Sequence, residues 1–94
     1  MIVRILNEGQ WRLTDVAVRG LNSFDDAVEQ AVAAGDQDRL ARALHTLLDR
    51  IRLTGAKVPD EELEDSDLIL PAADSTVEEV RQLLSESEEG LIPG

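Results

Sequence analysis

The residues able to do chemistry are few, and their spacing narrows what that chemistry is. His45 is the only histidine, and there is no cysteine. A lone imidazole beside Leu44, with no nucleophile and third group spaced around it, reads as a helical surface residue and not as a general base. One histidine without thiolates also cannot supply the ligand set of a transition-metal site. The carboxylates Asp60-Glu61-Glu62, Glu64-Asp65 and Asp67 are hard oxygen donors suited to calcium or magnesium. They lack the loop glycine and alternating ligand order of a helix–loop–helix calcium site. Paired carboxylates also serve glycoside hydrolysis, but that chemistry needs rings on which a sugar can stack. Here the only rings besides His45 are Trp11 and Phe24. A small carboxylate- or divalent-metal-dependent hydrolase at this acidic run is the alternative that the residue types leave open. Gly20, Gly35 and Gly55 stand singly, so no glycine-rich phosphate loop is present.

The pattern therefore predicts a non-enzymatic chain with no cofactor. Charge says more. Residues 1–58 hold eight acids and eight bases, whereas residues 59–94 hold twelve acids and Arg81 alone, so the second half carries the whole −11. Such a surface repels nucleic acid and anionic membranes and suits a basic protein partner, or simply keeps the chain soluble. An acidic mimic occupying a nucleic-acid-binding protein has only this charge in its favour. The arginines have no aromatic residues interleaved with them, a second argument against nucleic-acid binding.

These side chains must be held by a single domain of 94 residues, which leaves no room for a second core. With two aromatics the core is aliphatic, built on Leu, Val, Ile and Ala stripes. The absence of cysteine fits a reducing compartment, and the apolar run Met1–Leu6 is too short for a signal peptide or a membrane span. The chain reads as cytoplasmic. Residues 2–6 and 10–13 alternate as a β-hairpin about Asn7-Glu8-Gly9. With Gly9 left-handed, Ile5 faces Trp11, Val3 faces Leu13 and Arg4 faces Arg12. Two arginines opposed across strands require an anion, either from the chain's own acidic half or from another protein. The first strand is apolar at most positions, and an open edge there is a route to a homodimer.

Thr14 or Asp15 caps a helix running to about Ala34 and stopped by Gly35, with a weak point at Gly20 and Asn22-Ser23. Asp36 caps a second helix to Thr54, whose Leu40, Leu44, Leu47, Leu48 and Ile51 form one stripe. The short Gly35-Asp36 turn makes the two an antiparallel pair. Residues 56–66 read as an acidic connector, Asp67–Pro71 as a short strand, and Ser75-Thr76-Val77-Glu78 as the capping box of a last helix. The order ββααβα is an α+β domain, with the hairpin and a short third strand packed on a helical hairpin and a C-terminal helix.

The opening Ile-Val-Arg-Ile-Leu-x-Glu-Gly-Gln, the middle Ala33-Ala34-Gly35-Asp36, the block Ser66–Asp74 and the ending Gly90-Leu91-Ile92-Pro93-Gly94 together resemble the PspA-associated domain family, PspAA, over the whole chain. The resemblance implies an accessory protein to phage shock protein A, a coiled-coil, membrane-remodelling protein of the bacterial envelope stress response. The implied role is adaptor or regulator, with membrane association only indirect, through that partner at the inner face of the cell membrane. No catalytic residue is carried over. The partner-binding residues expected are Arg4, Arg12, Glu64, Asp65, Asp67, Leu68, Ile69 and Leu70. The Leu91–Gly94 tail either packs on the domain or binds elsewhere.

Overall fold

A computed structural model of the chain describes residues 1–62 and 64–86. The tail from Leu91 to Gly94 lies outside the described residues. The elements are β1 (Ile2–Ile5), β2 (Gly9–Arg12), α1 (Asp15–Arg19), α2 (Asn22–Ala34), α3 (Gln37–Thr54), β3 (Ala56–Val58), a 3₁₀ turn (Asp60–Glu62), β4 (Leu68–Leu70) and α4 (Val77–Ser85). The class is α+β, with a four-stranded mixed sheet in the order β3-β2-β1-β4 and helices on one face.

The hairpin forms with its faces as the alternation predicts, but its register differs. Ile5 pairs with Gly9, Arg4 with Gln10, Val3 with Trp11 and Ile2 with Arg12. The loop is Leu6-Asn7-Glu8, closed by a hydrogen bond from Glu8 N to Ile5 O (3.0 Å). The tight turn is made by Asn7, left-handed at φ 70°, a position asparagine tolerates; Gly9 also has a positive φ, 138°, but lies within β2. The register therefore shifts by two residues. An even shift leaves every side chain on its expected face, so Val3, Ile5, Trp11 and Leu13 still enter the core. It also separates the two arginines, and Arg4 does not lie opposite Arg12.

The first strand is not an edge. β1 is antiparallel to β2 on one side and parallel to β4 on the other, so a homodimer through an open edge of β1 is not available to this sheet. The connector after α3 contains a strand that the sequence does not announce. Ala56–Val58 pairs antiparallel with β2 and forms the opposite edge of the sheet.

The predicted first helix breaks at its weak point. α1 ends at Gly20, and Leu21 turns inward to complete burial before α2 begins. Gly35, left-handed at φ 65°, ends α2, and Asp36 caps α3 through a bond from Arg39 N to its Oδ1 (3.0 Å). The α3 stripe Leu40, Leu44, Leu47, Leu48 and Ile51 is wholly buried. Each such side chain contributes about 1.5–3 kcal/mol relative to exposure. Gly55 follows because a Cβ there would lie 2.6 Å from Leu13 Cδ2 and 2.8 Å from Ile51 O. The last capping box sits one residue later than Ser75. Thr76 Oγ1 accepts from Glu79 N (3.2 Å) and Glu79 Oε1 accepts from Thr76 N (3.1 Å). Ser75 is buried in the preceding turn, where its carbonyl accepts from Gln37 Nε2 (3.2 Å).

Candidate interaction surface

The strand order forces an unusual use of the acidic connector. β3 and β4 lie at opposite edges, so residues 59–67 must cross β2 and β1, about 14 Å at the usual strand spacing. They cross on the face away from the helices, the face onto which Ile2, Arg4, Gln10 and Arg12 project. Ile2, Gln10 and Val58 are consequently buried there.

Gln10 fastens the crossing. Its side chain is 2% exposed; its Nε2 donates to Glu64 O (2.5 Å) and Ser66 Oγ (2.8 Å), while its Oε1 accepts from Glu64 N (3.2 Å). A buried amide satisfied on both ends offers more than a neutral contact, because an unmade bond at such a site costs the full desolvation of the group. Arg12 adds an ion pair to the Glu64 carboxylate. Asp67 closes the far end, accepting from Ile2 N on its Oδ2 (2.8 Å) and donating its own N–H to Ile2 O (2.8 Å). A second set of contacts holds the hairpin tip. Arg52 at the end of α3 grips Glu8 in two places (3.1 and 2.5 Å) and Asp49 in a third (2.7 Å). The hydrogen bond to Glu8, foremost, holds the Arg52 pKa above its ordinary value, and burial opposes this. Lys57 lies over the Trp11 ring, 4.3 Å from its centroid, and donates to Glu8 O (3.1 Å).

The eight residues expected to bind a partner thus separate. Arg12, Glu64 and Asp67 are engaged within the chain. Leu70 is fully buried and Leu68 half-buried, both packed on the core. Arg4 and Ile69 come together on the outer face as register partners. Arg4 is half-buried with no ion pair among the described residues, and Ile69 is 51% exposed. Asp65 is exposed on the crossing segment. Gln10 and Glu8, which organise this surface, escape residue-type reasoning. A glutamine between outward-facing arginines looks solvated, and only its place in the family-like opening motif marks it.

Among the described residues no group of three or more His, Asp or Glu side chains converges to hold a metal ion. No described helix is long and apolar enough to cross a membrane. What fold and surface define is a small α+β domain with a sheet face overlaid by an acidic strap. The family model for PspAA, described as PspA-Associated protein, matches residues 1–94, and the chain belongs to that family. No curated protein and no solved structure matches it.

Proposed function

We propose that this chain is a non-enzymatic interaction module that binds a coiled-coil protein of the phage shock protein A type and adapts or regulates it in the envelope stress response. The observation that carries this reading is the family match over the full length, since the family's name denotes association with PspA. Recruitment to the inner face of the membrane would then be indirect, through the partner. On the surface, the reading is supported by Ile69, a large apolar side chain exposed next to Arg4, which has no ion pair among the described residues. The strap that crosses the same sheet face carries the exposed carboxylates Asp60, Glu61, Glu62 and Asp65. An apolar centre with a charged rim is the ordinary anatomy of a protein contact. The acidic rim sets orientation and on-rate, so binding weakens as salt rises.

Co-expression with the PspA protein encoded in the same genome, followed by affinity purification of this chain, tests the reading. The partner should copurify at low salt, and Ile69→Asp, an exposed change, should release it without altering the melting of the domain. Absence of the partner from the purified wild-type chain at low salt defeats the proposal.

A further inference from the structure

A second surface, on the helices, carries a different contact. α2 and α3 lie antiparallel, and a groove of about 260 Å³ runs between them on their exposed flank. Phe24 and Ala27 line it from α2; Arg39, Arg42, Ala43 and Thr46 line it from α3. Phe24, Ala27 and Ala43 are half-buried, so the floor is apolar and open to solvent, and Arg39 and Arg42 stand exposed at its rim. Arg39, Ala43, Thr46 and Arg50 follow one another at steps of three and four, which places Arg50 on the same flank of α3.

The charge on this flank is out of keeping with the rest of the chain. Acids outnumber bases by 20 to 9, and Arg12, Arg52 and Arg81 each have a carboxylate partner. Arg39, Arg42 and Arg50 form no ion pair among the described residues. The Arg39 guanidinium is turned to a neutral acceptor, Gln30 Oε1, at 3.2 Å. A carboxylate arriving here gains an arginine without displacing an internal one. From Arg39 to Arg50 the row spans about 16 Å at 1.5 Å per residue, roughly three helical turns.

We propose that the α2–α3 flank docks an acidic amphipathic helix of a partner protein. An aliphatic side chain of that helix covers Phe24 between the two alanines, and its carboxylates, spaced by one turn and then by about two, meet Arg39, Arg42 and Arg50. This is the helix-in-groove mode of recognition with the charge set by the receptor. A basic helix is rejected by the arginine row, and an anionic lipid surface by the −11 of the whole chain. The contact does not depend on the outer sheet face and stands or falls separately from the function proposed above.

The test is a titration of the full ¹⁵N-labelled chain with a synthetic helical peptide of about five turns (roughly 18 residues). It carries leucine at three- and four-residue steps, with glutamate and alanine between. A peptide with lysine for glutamate and vesicles of phosphatidylglycerol and phosphatidylcholine are titrated in parallel. The glutamate peptide should shift the amides of Ala27, Ala43 and Thr46. Its affinity should fall at least tenfold in the Arg39→Glu, Arg42→Glu double variant, whose melting should match the wild type because both side chains are exposed. Thr46→Trp, which fills the groove without touching the charge, should weaken it as well. The proposal is overturned by shifts that map elsewhere, by an equal response to the lysine peptide, by affinity indifferent to both variants, or by a response to the vesicles without one to the glutamate peptide.

Discussion

Replacing Gln10 with methionine tests whether the acidic strap is a structural member of the sheet. Methionine keeps the approximate volume and the unbranched shape, so packing changes little. It cannot form the amide contacts to Glu64 O, Glu64 N and Ser66 Oγ. Three hydrogen bonds at about 1 kcal/mol net each would give roughly 3 kcal/mol. Glu64 is exposed, so water re-bonds part of its backbone, and about 2 kcal/mol is the expected loss. With a urea m-value of about 1–2 kcal/mol/M for a domain of this size, the midpoint should fall by about 1–2 M. Trp11, buried on the opposite face of the same strand, reports global unfolding by fluorescence. The amide of Ile2, bonded to Asp67 Oδ2, reports the strap locally by hydrogen exchange. In the variant this amide should exchange faster than the core amides of α3. A midpoint unchanged within about 0.3 M, with Ile2 still protected, would show that Gln10 does not hold the strap.

Gly55→Ala forces a Cβ into contacts of 2.6 and 2.8 Å, an overpacking worth about 1–3 kcal/mol. Calorimetry should find the melting temperature lowered by roughly 4–8 °C for each of those kcal/mol. Thr76→Ala removes half of the capping box and should cost about 1 kcal/mol. Faster amide exchange confined to the first turn of α4, and recovery in Thr76→Ser, would mark this as a cap effect. Arg52→Met breaks the bridge from α3 to the hairpin tip and should cost about 1 kcal/mol, since the groups are partly solvated. Because the Arg52 pKa is raised, its stabilisation is fully present below the ordinary arginine value and is lost only as pH rises through the higher one. The deficit of Arg52→Met, measured by urea melts, should therefore be constant from pH 6 to 9 for the guanidinium's part and shrink as salt rises.

What the sequence reveals depends on whether a residue's role is local. The α3 stripe, the Asp36 cap and the Gly35 stop are settled within one or two turns of chain, and each stands where the spacing puts it. The faces of the hairpin follow from alternation, but its register hangs on whether Asn7 or Gly9 forms the turn. Either residue can do so, and the tertiary pairing decides. Ala56-Lys57-Val58 is too short to show a period, and it becomes a strand only because β2 offers an edge. Leu68 and Leu70 look like candidates for a partner until the sheet turns them into the core and leaves Ile69 outside. The acidic run reads as solvated for the same reason: its main contact is the backbone of Glu64 against Gln10, 54 positions away, and nothing local encodes that.

The central position of β1 has a consequence for the order of synthesis. Of these four strands β1 is made first, and it waits longest for its second neighbour, because Ile2 is bonded to Asp67, 65 positions later in the chain. Until then β1 is a half-finished sheet with one row of amides and carbonyls unmet, the kind of edge on which chains aggregate. The helices can form early, but the sheet is sealed only when the acidic half has emerged and swung across it. A chain interrupted before Leu68 would keep its hairpin and its helical pair, yet expose the strand that the intact protein hides in the middle of its sheet.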